Sequence, residues 1–258
     1  MTLLLRVVMA ELLKLRGSLA VWMVLVGGLF TSGVITAARL WFPSSVAALH
    51  QAENFWLRHW RSSSESSAVF FLPMGMVLAT ALLAQIEFRN NAWKQVHALP
   101  VRSGVVYLAK LLIVLLMLVA YLAVFCVGVW ASAAIPSLLL TNVEFPAANV
   151  PWAALVSDAL RYFVAALPIT AIQFGLSLRF RNFLVPVGIG FLGWLLALGS
   201  LSWQWNFLLP YSHTMHTFLE GETQSRAAVP VFDVHTTAVA YFFAAAAVGY
   251  VSFAKRRT

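Results

Sequence analysis

The stretch LAVWMVLVGGLFTSGVITAA, residues 19–38, runs for 20 residues without an ionisable side chain. At 1.5 Å of rise per residue, a helix of that length spans about 30 Å, the hydrocarbon thickness of a bilayer. AVFFLPMGMVLATALLAQI, residues 68–86, repeats the pattern over 19 residues. Four more apolar blocks follow at 105–131, 152–178, 183–203 and 238–254; only Lys110, Asp158 and Arg161 bring charge into them. Barrel strands would alternate over about ten residues instead. The sequence therefore predicts an all-α integral membrane protein with six transmembrane helices, forming one domain over 1–258.

The composition agrees, being 61% hydrophobic and 10% charged with a mean hydropathy of +0.84, where a soluble domain carries roughly 25% charged residues. A net charge of +8 raises the possibility of nucleic-acid binding, and its distribution rejects it. With the N-terminus inside, 12 of the 17 basic residues fall on inner segments, while seven of nine acidic residues lie at or beyond the outer face. That asymmetry is the positive-inside rule, and it places both termini in the cytoplasm. The single cysteine, Cys126, falls inside the third span and excludes an intrachain disulfide. The first apolar block is longer than a signal-peptide core and reads as a retained anchor.

Between the spans, LLLRVVMAELLKLRG (3–17) is helix-prone and ends at Gly17, where a helix can break. Arg6, Glu11, Lys14 and Arg16 share one broad side of it, which suits a helix lying in the inner membrane interface. Residues 39–67 and 204–237 read as outer loops. Their aromatics (Trp41, Phe42, Phe55, Trp56, Trp60, Trp205) are expected in the headgroup belt, either as anchors or as the lining of an exit. His213, His216 and Glu220 stand at i, i+3 and i+7, one face of a helix, and are weak candidates for a metal, since a fourth ligand is lacking. Asp158 and Arg161, one turn apart, form a possible intramembrane pair, and Lys110 can snorkel to the inner interface. Gly27, Gly28, Gly33, Gly188, Gly190 and Gly193 allow close helix contacts and offer a seam for a second membrane chain. There is no phosphate-binding loop of the GxxxxGK[ST] type. LGSLS (198–202) with His235 lacks the arrangement of a membrane serine protease.

The most informative polar stretch is EFRNNAWKQVHALPVRSGVVYLAK, residues 87–110. As a helix over 88–99 it places Phe88, Ala92, Val96 and Leu99 on one stripe and Asn90, Lys94 and His97 on another. Pro100 then ends it, because the residue before proline disfavours α geometry. A plain return to the membrane would need neither this length nor this two-faced pattern.

The same stretch resembles the first cytoplasmic loop of ABC-2-type exporter permeases (type V fold). In them a glutamate closes span two, a short helix follows, then a proline corner and a lysine opening span three. Glu87, the helix through Lys94 and His97, ALPVR at 98–102 and Lys110 match in order. ELLKLR at 11–16 resembles the family's E-x-x-K connecting helix. The wording of 90–110 is closest to permeases of antimicrobial-peptide (lantibiotic-type) immunity and multidrug export. The resemblance implies a non-catalytic permease subunit in a bacterial cytoplasmic membrane, paired with a second copy or a sister permease and moving an amphiphilic substrate such as an antimicrobial peptide or drug. Cytoplasmic ABC ATPase subunits would dock beneath it and bind the ATP and Mg; the chain would hold no cofactor, touch membrane lipid and bind no nucleic acid. It assigns ATPase coupling to Glu87, Arg89, Asn90, Lys94, His97, Pro100 and Arg102, and the interfacial helix to Glu11, Lys14 and Arg16. An ATPase-independent secondary transporter or channel is the alternative, and a non-transporting anchor a third.

Overall fold

The computed structural model describes residues 3–89, 101–220 and 232–255. Among them the structure is helical with no strand. Helix α1 (Leu3–Leu15) ends at Gly17, whose φ of 69° lies in the left-handed region that glycine alone adopts without strain. Ser18 then accepts from the Val21 amide and caps α2 (Leu19–Trp41). Five helical runs are long and apolar enough to cross a membrane. They are α2, the 35-residue run Phe55–Arg89, α6 (Ser103–Leu139), α7 (Trp152–Arg179) and α10 (Val234–Ala254).

Three expectations change. The stretch 39–67 is not a loop: after α3 (Pro43–His50) the chain enters α4 (Phe55–Ser66), which continues through a π-helical turn (Ser67–Phe71) into α5 (Leu72–Arg89). Trp56 and Trp60 are consequently buried against neighbouring helices, whereas Trp41 and Phe42 remain exposed. Alternation of polar and aromatic residues in FWLRHWRSSSES hides this from a hydropathy reading, because the helix buries its aromatic face inside the protein rather than in lipid. The fifth predicted span, 183–203, is a 16-residue helix, α8 (Leu184–Gly199), about 24 Å long and so short of the hydrocarbon thickness. Thirdly, the start of the expected loop 204–237 folds inward. Two 3-10 turns (Asn206–Leu208, Pro210–Ser212) lead into α9 (His213–Leu219), and Asn206, Phe207, Ser212, His213 and Met215 are all fully or almost fully buried. Asn206 anchors the return by donating to the Ala197 carbonyl (2.9 Å) and the Ser200 hydroxyl (2.8 Å) at the end of α8.

The core lies where α5, α6 and α7 meet. Tyr121 of α6 is fully buried beside Ser67 of the π-helical turn, at 3.1 Å. Trp194 of α8 donates to the Val69 carbonyl in the same turn at 2.6 Å, tying α8 to it. Helix α2 packs on α6, and α10 on α7. Most of the predicted seam glycines are used within the chain. A Cβ at Gly28 would lie 3.0 Å from the Tyr121 carbonyl oxygen, one at Gly190 2.7 Å from Val77, and one at Gly193 2.7 Å from Tyr211. Gly27 faces Tyr121 in the same way, at 3.1 Å, whereas Gly33 and Gly188 face open space.

This contrast sets a test. Gly28→Val forces α2 away from a backbone carbonyl that cannot yield, an overpacking cost of about 1–3 kcal/mol, whereas Gly33→Val has room. Thermal unfolding in detergent should show a lowered midpoint for the first variant and a near wild-type midpoint for the second.

Candidate functional site: a buried four-charge junction

Four charged side chains from three separated segments converge at the end of the bundle where α1 packs. Glu11 and Lys14 stand one turn apart on α1, Glu87 is in the last turn of α5, and Lys110 is two turns into α6. Lys110 Nζ contacts Glu11 Oε2 at 2.9 Å and Glu87 Oε1 at 2.5 Å. Lys14 Nζ contacts Glu11 Oε1 at 2.8 Å and the same Glu87 oxygen at 3.0 Å. The side chains of Glu11, Glu87 and Lys110 are 6%, 3% and 4% exposed, and that of Lys14 is 35%. The two carboxylates and two ammonium groups sum to zero, which is what lets four charges leave water together.

The local sequence explains the convergence. Helix α1 turns Leu15 and Glu11 inward while Leu5, Met9, Leu12 and Leu13 stay exposed, so its apolar side is the outer one. Of its charged side chains only Glu11 points into the protein, while Arg6, Lys14 and Arg16 remain exposed. Burial works against the Glu11 charge, yet Lys110 and then Lys14 outweigh it and hold the carboxyl below its ordinary range. Burial likewise opposes the Lys14 charge, and Glu11 followed by Glu87 overcomes it, raising its pKa. Lys110 does not snorkel to the interface; at 3% exposure it is the centre of the junction.

The other predicted residues divide. Arg89 is exposed at the end of α5 and Arg102 is exposed just before α6. Asn90, Lys94, His97 and Pro100 lie outside the described residues. Asp158 and Arg161 take different partners, with Trp60 Nε1 donating to Asp158 at 3.2 Å and Arg161 facing Glu220 at 3.5 Å. His213 donates from Nε2 to the Phe207 carbonyl at 2.7 Å, and His216 from Nε2 to Asn206 Oδ1 at 2.7 Å. Both rings therefore brace the inward return, and among the described residues no three ligand-type side chains gather for a metal. Burial holds both imidazoles neutral, with the His213 pKa pushed down to about 4.

A second polar network is absent from the sequence reading. Arg39, in the last turn of α2, donates to the Ser132 carbonyl at 2.9 Å and to His59 Nδ1 at 3.1 Å. His59 Nε2 then donates toward the Val129 carbonyl at 3.0 Å and the Ser132 hydroxyl at 2.9 Å. These residues tie α2, α4 and α6 together at the end remote from the four-charge junction. They are far apart in sequence, and no short-range spacing marks them.

A family model described as "ABC-2 family transporter protein" matches residues 7–197, a range that contains all four residues of the junction. No curated protein and no solved structure matches the chain.

Two measurements bear on the side chains described here. Lys110→Met leaves two buried carboxylates sharing Lys14 and should cost about 3–5 kcal/mol, while the neutral double variant Glu87→Gln/Lys110→Gln should recover most of that loss; detergent unfolding midpoints compare them. For His213, the unfolded ring takes up a proton near pH 6.5 and the folded ring only near 4. Stability should therefore fall as pH drops from about 6.5 to about 4, and the fall should be shallower in His213→Gln.

Proposed function

The chain belongs to the ABC-2 transporter family as a multi-pass membrane permease of an ABC transporter, and we propose that it is the non-catalytic subunit through which a separate ATPase drives export. The single observation that carries this reading is the position of the four-charge junction. Glu87 stands just before residues 90–100 and Lys110 ten residues after them, and the two side chains are in direct contact. Both flanks of the segment expected to engage an ATPase are thus clamped to each other and to α1. Force applied to that segment would reach α1, α5 and α6 together, because a buried ion cluster resists being pulled apart in low dielectric.

In this reading the two-faced segment 88–99 docks in a cleft of a cytoplasmic ABC ATPase, with Lys94 and His97 on the contacting stripe. ATP and Mg are bound by that partner, and closure of two ATPase subunits moves the segment as a lever. The permease works with a second copy or a sister permease, and an amphiphilic substrate, such as an antimicrobial peptide or drug, leaves outward. The excess of basic residues on the inner segments supports cytoplasmic termini in a bacterial cytoplasmic membrane. A secondary transporter would want paired ionisable groups on a pathway through the membrane, and Asp158 and Arg161 take separate partners instead.

The test is a crosslinking pull-down of the tagged chain from its native membranes, followed by ATPase assays of the reconstituted complex. Lys94→Glu/His97→Glu should insert normally, yet lose both the copurifying P-loop ATPase and substrate-stimulated hydrolysis. Normal export by that double variant would sink the coupling assignment.

A further inference from the structure

At the end of the bundle remote from the four-charge junction, α4, α7 and α9 line a half-open cavity of about 350 Å³. Three guanidinium groups line it, from Arg58 and Arg61 of α4 and Arg161 of α7, against one lining carboxylate, Asp158. The charges around it have an internal order. Asp158 accepts from the Trp60 indole at 3.2 Å, Arg161 faces Glu220 at 3.5 Å, and the Arg61 guanidinium lies 5.6 Å from the ring centre of Phe218, which forms part of the α9 wall. The lining hydroxyls of Ser64 and Thr217 donate to carbonyls of their own helices, Trp60 at 2.8 Å and His213 at 2.9 Å. Guanidinium forks recognise oxyanions, and phosphate in particular, through paired N–H donors.

The level of the cavity narrows the choice of oxyanion. Arg161 lies about 27 Å along α7 from Arg179 at the inner end, so a hydrocarbon core of about 30 Å brings the cavity to the opposite headgroup layer. Its rim is apolar at Leu57, which is 53% exposed. A cationic cradle with an apolar rim at headgroup depth suits a phosphate that arrives attached to acyl chains.

We propose that the cavity between α4, α7 and α9 is a phosphate-oxyanion site occupied by the headgroup of an outer-leaflet phospholipid. Only the word "outer" rests on the topology proposed above; the site itself needs no ATPase. A lipid held there would brace α4 against α7, the two helices whose Trp60–Asp158 contact forms the cavity wall.

The experiment uses the full chain purified in phosphate-free detergent and titrated with dihexanoyl-phosphatidylglycerol, with intrinsic tryptophan fluorescence and thermal midpoint as readouts. Inorganic phosphate and dihexanoylglycerol, which lacks phosphate, are the comparison ligands. The phospholipid should bind saturably, with affinity reduced about tenfold or more in Arg58→Gln/Arg161→Gln and less in the corresponding lysine variants. Failure of inorganic phosphate to compete assigns the site to lipid; competition at similar concentration keeps the oxyanion site and names free phosphate as its ligand. Equal binding by dihexanoylglycerol, or by the double glutamine variant, overturns the proposal. Should that variant misfold, Arg58→Gln alone carries the test, since Arg58 is exposed. Recovery of an ATPase with Arg58→Gln separates failure of this site from failure of the coupling assignment.

Discussion

Lys110 between Glu11 and Glu87 is the contact on which the α1 end of this protein depends. An unpaired ammonium group at 3% exposure would be costly enough to deprotonate or to unfold its surroundings. With two carboxylates around it and Lys14 balancing the second, the same burial becomes a constraint. Helix α1 must sit where Glu11 reaches α6, and α5 must end where Glu87 does. Apolar packing alone would not impose that register, because in a membrane one apolar face differs little from lipid. A neutral cluster of four charges with short contacts has few alternative arrangements. It fixes where α1 crosses the bundle and how the chain leaves α5 and re-enters α6.

The outer half is held by a different class of contact. Hydrogen bonds from Arg39, His59 and Asn206 join helices to backbone carbonyls, and Trp60 reaches Asp158 across α4 and α7. These are hydrogen bonds, some of them joined in a network, rather than a closed neutral cluster of charges. The π-helical turn between α4 and α5 sits between these two regimes, with its Val69 carbonyl accepting from Trp194. The long run from Phe55 to Arg89 therefore joins an ion-clamped end to a hydrogen-bonded one.

Resemblance to ABC-2 permeases pointed to Glu11, Lys14, Glu87 and Lys110 separately, in two motifs read as an interfacial helix and a coupling loop. Folding makes them one site. Nothing in the spacing of ELLKLR announces that Glu11 turns inward, because its exposed neighbours are leucines and a methionine; the helix is amphipathic with its apolar side outermost. Conversely, His213 and His216 looked like a metal face at i and i+3, and each is spent on a neighbouring oxygen of the inward return. The aromatics of α4 looked like membrane anchors and are core. Hydropathy scores a residue by its chemistry, and these residues are placed by which partner their helix happens to face.

What the sequence determined by itself is the membrane architecture. Charge-free blocks of about 20 residues have one economical solution in a bilayer, since every backbone polar group must be satisfied within its own helix. Only the tertiary structure decided that span five stops short, that the chain then folds back inward, and that four charges meet. Those outcomes depend on contacts between residues tens of positions apart, 99 for Lys110 and Glu11. A pairing across that separation depends on how helices pack, a relation that no local pattern of residues encodes.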